Sequence, residues 1–393
     1  MLASYPDKGI VIPFYFYGGI QSQRVSFSRT GPLSAMSVPS QNPGEKLYDP
    51  FLDGNFSKEV CFLCGTKLSA SNRTREHIFP QWLLRHFNLT GRSAKNTTVN
   101  FHGKDLHFTN YSKILIPCCK SCNSTVLAPI EKRLKKDLLL KNAKDFDLSP
   151  SDLFIWIAKV FYGYYLDEHL RGKIDITRFL ELPGYSGIRT IFLFLQSVRF
   201  QFLMRGSFFF EHAKLPGMPV SAFIFDVKLD RDVSRQFDYI DDFSLECVYL
   251  RLGKKAILLA FDGGYVHHHA YDYFSKYLDK LLHPKQAEEL AARFFHVAGL
   301  KKDVFRFTKY EENHLTVLDY DAGLLPINWS ALRDRLPFIE QDEESSQRYE
   351  FLLSRFTRQP IKGLTDGKGN VHSWLRGADG EFLDIDIDKY PFG

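Results

Sequence analysis

No run of apolar residues in this chain approaches the ~20 that a bilayer crossing requires. The first apolar stretch, Ile10 to Tyr17, is interrupted by Pro13 and follows no basic leader. The sequence therefore reads as that of a cytoplasmic protein without a membrane partner. An excess of charge of one sign is lacking too: 51 Lys and Arg face 46 Asp and Glu, a formal net charge of +5. That permits a polyanionic partner without requiring one, so a local basic surface matters more than the total. Cysteine is scarce, with six in the chain, and five of them fall between positions 61 and 122. A secreted, disulfide-stapled protein would spread its cysteines along its length, so this clustering points to metal ligation in a reducing compartment. No internal repeat marks a solenoid.

What is present is ordinary for a globular protein, apart from the aromatics. Hydrophobic residues make up 44% of 393 positions and Phe alone occurs 36 times, which predicts Phe-rich cores in two or three domains. Residues 1–50 carry a Ser/Pro/Gly-rich stretch and read as an arm or linker. Residues 51–145 form the cysteine-rich module, and 150–393 read as a larger mixed α+β domain. Ser149-Pro-Ser-Asp152 is a helix-start signal at the boundary. The helix after it places Leu153, Trp156, Ile157, Val160, Phe161 and Tyr164 on one face. A second apolar helix is expected over Ile188 to Met204. Strands are expected over Val220 to Leu229 and, as a hairpin turning at Gly253-Lys254-Lys255, over Tyr249 to Phe261. Helices are expected over Ala270 to Leu282 and Pro284 to Val297, then a hairpin of Val304 to Thr308 with Leu315 to Leu318. The end, from Ile339 on, reads as loosely packed.

The informative stretch opens with Cys61-Phe-Leu-Cys64 and closes with Cys119-Lys-Ser-Cys122-Asn123. Two CxxC knuckles bring four thiolates together, the all-sulfur pattern of a structural zinc site, which leaves no open position for water. Cys118 competes with Cys119 for the third ligand, and the CxxC spacing favours Cys119. Between the knuckles lie Glu76 and His77, followed by Ile78-Phe-Pro80. A His beside a carboxylate can take a proton from water while the carboxylate holds a divalent cation. The side-chain oxygen of Asn123 can ligate a hard cation from the start of the following helix. These groups meet only if the zinc pins both ends of the loop together. An isolated Glu-His would more readily be a cap and a surface residue, and the bracketing knuckles shift the reading toward catalysis.

The string C-x2-C, E-H-I-F-P-x-W-L, C-x2-C-N resembles the HNH endonucleases, ββα-metal nucleases, in the form with a four-cysteine zinc clasp. The resemblance spans about residues 58–135. It implies a small zinc-stapled ββα-metal module, DNA more than RNA as substrate, and one catalytic divalent ion, magnesium or another. It implies His77 as general base, Glu76 and Asn123 as ligands of that ion, and Asn110 as the residue that orients the base, with Asn100 a poorer match. Glu76 stands where Asp is commoner, and Asn123 where His is frequent. Glu131 matches a supporting carboxylate. Proteins of this layout resemble bacterial restriction or phage-defence effectors, with the C-terminal part recognising a target, a protein partner or another copy.

Arg73, Arg75, Arg85, Lys132, Arg133 and Lys136 are candidates for phosphate contacts. Trp82 reads as core, and Cys247 as a buried small hydrophobe. His102 and His107 are weak candidates to line the site. His267-His268-His269 is a poor metal site, because consecutive side chains diverge. The rival readings are a non-catalytic zinc-stapled binding module and a nuclease subunit silent until a partner engages it.

Overall fold

The structure, a computed structural model, describes residues 48–53, 56–90, 110–140, 150–177, 220–262, 264–300, 343–361, 373–377 and 381–388. It also describes isolated positions of regular structure at 11–12, 25–26, 99–100, 191–192, 195, 207–211, 305–312 and 315–322. Most of the expected arm, His102, His107 and most of the expected helix Ile188 to Met204 lie outside these residues.

The N-terminal module is a two-stranded hairpin followed by a helix. Strand β1 (Arg73–His77) leads through Pro80 into the short helix α1 (Gln81–His86). Strand β2 (Leu115–Cys119) returns antiparallel to β1, with Glu76 opposite Ile116 and Arg73 opposite Cys119. A wide π-type turn, Cys122–Leu127, opens helix α2 (Ala128–Leu140). Helix α3 (Pro150–Leu170) begins at the expected signal.

The expected single apolar face of α3 is exceeded: residues 152–168 are all buried, as befits a helix apolar nearly all round. The hairpin packs on α3 at Gly163, where an added Cβ would lie 3.1 Å from Ile116 and 3.2 Å from Ile78. Gly163 thus sets how closely helix and hairpin approach.

The rest is a sheet between helices. Strands β3 (Ser221–Val227), β4 (Phe237–Asp242), β5 (Cys247–Leu252) and β6 (Lys255–Ala260) are joined antiparallel in the order β3, β6, β5, β4. Two-residue strands, Leu281–Leu282 and Val99–Asn100, extend the two edges in parallel. The period of two sends Val248, Leu250 and Leu252 to the α3 side, and Cys247 and Tyr249 to the other. The second side is covered by α4 (Tyr265–Phe274), α5 (Pro284–Ala298) and α6 (Glu343–Thr357). The chain is therefore a mixed α+β protein. One continuous core runs from Cys61 and Phe62 through α3 to Leu250 and Ile257, across the expected boundary at 149–152.

Two expectations need correcting. The helix expected over Ala270 to Leu282 instead runs Tyr265–Phe274: the Asp262 carboxylate accepts the Gly264 and Val266 amides and closes the first turn early, and Leu281–Leu282 is drawn into the sheet edge beside β3. The segment after Ile339 is not all loosely packed: α6 buries Tyr349, Leu352, Leu353 and Phe356 against α5. The expected hairpin near Val304 is present as Phe305–Glu312 paired with Leu315–Ala322, and Ser207–Glu211 lies parallel to the second strand.

Candidate metal centre and histidine site

The first knuckle is a tight turn. The Gly65 amide donates to the Cys61 carbonyl at 2.9 Å, and the Cys61 amide to the Thr66 carbonyl at 2.9 Å. Gly65 has φ +68°, and an added Cβ would strike the Tyr48 ring at 2.4 Å, so both conformation and space require glycine. The Phe62 amide donates to the Pro117 carbonyl at 2.9 Å, which ties the knuckle to β2.

The sulfurs of Cys61, Cys64, Cys119 and Cys122 all lie within 4.8 Å of one another. A tetrahedron of Zn–S bonds of about 2.3 Å has sulfur–sulfur edges of about 3.8 Å. The Cys64 and Cys119 sulfurs are 3.8 Å apart. The donor set and its spacing fit a metal ion such as zinc. Mutual hydrogen bonding within the cluster holds the Cys64 thiol far below its usual range and pushes those of Cys61, Cys119 and Cys122 up. Cys118 is not one of the four: its thiol turns to the Cys119 carbonyl at 3.5 Å and also hydrogen-bonds the Cys61 thiol. Strand alternation settles the choice the spacing left open.

Beside this clasp, the period of two divides β1. Arg73, Arg75 and His77 fall on one face, exposed or half-buried; Thr74 and Glu76 fall on the other, against the interior. Asn123, the residue after the last ligand, donates from Nδ2 to the Thr74 hydroxyl at 3.2 Å. Its side-chain oxygen makes no hydrogen bond among the described residues.

Compared with family models, curated proteins and solved structures, the chain matches none. Its chemistry therefore rests on its own geometry.

His77 is half-buried at the end of β1. Burial, reinforced by the Lys159 charge and opposed by Glu131, holds its imidazole below the ordinary range. At neutral pH the ring is thus unprotonated and able to accept a proton. Glu76 is 5% exposed, and its Oε1 accepts a hydrogen bond from Lys159 Nζ at 2.7 Å. The same ammonium donates to Glu131 Oε1 at 2.6 Å. The cation at Glu76 is thus a lysine of α3, and the residues do not fit a divalent ion held there with Asn123. Asn110 caps a short turn, its Oδ1 accepting from the Ser112 amide at 2.9 Å and the Ser112 hydroxyl at 2.6 Å. That oxygen is turned to its own loop. Asn100 pairs with Asp241 at the sheet edge.

The basic candidates divide. Arg73 pairs with Glu59 at 2.7 Å, and Arg133 makes a two-pronged contact with Asp152. Arg85 donates back to the Gln81 carbonyl of its own helix. Arg75, Lys132 and Lys136 are exposed and in no ion pair among the described residues. Trp82 is half-buried against the α3 core, and Cys247 is buried on the other side of the sheet. His267 and His269 ride on α4, and the four-cysteine cluster is the one metal-ligating group among the described residues.

Sequence reasoning missed Lys159 and Thr74. Lys159 had a signal: it is the one charged residue between Asp152 and Asp167. A lone cation in so apolar a helix must find carboxylates.

Proposed function

We propose that the chain is an HNH-type endonuclease that hydrolyses phosphodiester bonds in nucleic acid, DNA before RNA. The observation that supports this best is the neutral, half-buried His77 on a hairpin clasped by four cysteines to the turn that carries Asn123. The zinc is structural: four thiolates would close its coordination shell, so it fixes geometry and activates no water.

In this reading His77 accepts a proton from water as the water oxygen bonds to phosphorus, and the ester oxygen opposite leaves with the bonding pair. Asn123, bonded to Thr74 on the face of β1 opposite His77, braces the start of the helix against the hairpin that carries the base. Arg75, on the His77 face of β1, and Lys132 and Lys136 on α2 attract the phosphate backbone. A magnesium ion, which the resemblance implies, would stabilise the charge on the phosphate and the leaving oxygen. Glu76, engaged by Lys159, would not hold that ion. The C-terminal α+β part recognises the target or a partner, and restriction or phage defence is the setting the resemblance suggests.

The lysine at Glu76 also favours a second reading, in which the module is a zinc-stapled binding unit without catalysis. The zinc-loaded full chain, incubated with supercoiled DNA and with RNA, with and without magnesium, separates the two. Nicking by the wild type that vanishes in His77→Ala, with zinc content and melting temperature kept, is the expected result. Nucleic-acid binding without cleavage by either protein would leave the binding unit.

A further inference from the structure

Lys159 sits mid-way along α3 with its side chain 1% exposed. An ammonium has three donors and no acceptor. All three are matched: Glu76 Oε1 at 2.7 Å, Glu131 Oε1 at 2.6 Å and the His77 carbonyl at 3.2 Å. One nitrogen therefore joins three elements, β1, α2 and α3. The backbone it holds is that of the proposed base, and the side chain beside that base, Glu76, is held too.

This contact bears on the metal. A carboxylate beside a catalytic histidine would be expected to carry a divalent ion. Here it carries a fixed cation, buried and hydrogen-bonded, whose like charge opposes a second cation at the same oxygens. Glu131, the other carboxylate within reach, is taken by the same ammonium. Removing Lys159 would leave two neighbouring carboxylates without a counter-charge, which is an arrangement that draws in a divalent ion.

We infer that Lys159 is the resident cation of this site, standing where a divalent ion would sit between Glu76 and Glu131, and that Glu76 is a positioning residue for His77 rather than a metal ligand. The consequence for His77 rests on the nuclease reading. The metal-binding consequence does not, and it is measured without substrate.

The test is manganese binding, followed by electron paramagnetic resonance, to the zinc-loaded full chain and its variants. Glu76→Gln should leave manganese affinity within about twofold of wild type, including the case in which neither binds. Lys159→Met should gain a manganese site at least about tenfold tighter than any in the wild type, and the double variant with Glu76→Gln should lose it. A tenfold or greater loss of affinity in Glu76→Gln alone would overturn the inference, as would a folded Lys159→Met that gains no site. Should Lys159→Met fail to fold, the Glu76→Gln arm still decides.

If the wild type cleaves nucleic acid, Glu76→Gln should lower the maximal rate without moving the magnesium concentration for half-maximal cleavage. Lys159→Arg, which keeps the charge, should retain more rate than Lys159→Met. An increased magnesium requirement with the full rate restored at high magnesium would make Glu76 a ligand after all. A wild type that cleaves nothing would remove the nuclease reading and leave the manganese result standing.

Discussion

Asn123 donates its side-chain amide to the Thr74 hydroxyl at 3.2 Å, and Thr74 in turn donates to the Cys118 carbonyl at 3.0 Å. The first turn after the cysteine cluster is thereby tied to both strands of the hairpin. Asn123→Ala and Thr74→Val each remove that bond and should each cost about 0.5–1.5 kcal/mol in a denaturant melt. As a brace, Asn123 should lose about as much cleavage in its variant as Thr74 does in its own. A far larger loss in the Asn123 variant would mean that Asn123 meets phosphate.

The cysteine assignment is checked by metal content. Cys119→Ser should lose the zinc, about one ion per chain in a four-thiolate site, and melt well below the wild type. Cys118→Ser should keep the zinc and cost about 1–3 kcal/mol for the hydroxyl buried in the thiol's place. The opposite pattern would move the ligand to Cys118.

Arg75 is exposed on the His77 face of β1 and in no ion pair among the described residues, whereas Arg73 is held by Glu59. Arg75→Ala should weaken DNA binding and reduce the slope of log affinity against log salt by about 0.9, the share of one phosphate contact. Arg73→Ala should change the slope less. Fluorescence anisotropy at several salt concentrations reads both.

Asp241 lies wholly inside the sheet, accepting from the Tyr239 hydroxyl at 2.7 Å and the Tyr165 hydroxyl at 3.1 Å. Burial pushes its carboxyl up to about 7. The folded state thus holds a proton that the unfolded chain, with an ordinary carboxyl near 4, releases. Its contribution to stability is present below the unfolded value and declines as pH rises toward 7, by up to about 1.4 kcal/mol per unit. Asp241→Asn should remove that slope, so the variant gains on the wild type as the buffer moves from pH 5 to pH 8. Parallel stability curves would contradict this.

Much of the site was written locally. The CxxC pairs named the ligands, because a knuckle needs only a few residues to aim two sulfurs at one ion. The buried strand β3 and the helices α3 and α5 followed from the periods of their apolar residues and from Pro150 and Pro284. Helix α6 was equally legible, since Tyr349, Leu352, Leu353 and Phe356 keep 3/4 spacing, but the charges around them concealed it. The choice between Cys118 and Cys119 required the register, because one residue along a strand reverses the direction of a side chain.

The sequence alone determined a cysteine-clasped module and a histidine held beside it. Tertiary structure decided which face of β1 each neighbour takes and what cation Glu76 meets. Lys159 reaches Glu76 across 83 positions of chain. No local pattern encodes such a contact: it exists because Gly163 lets α3 lie close on the hairpin, and a buried ammonium must find its acceptors wherever packing has brought them.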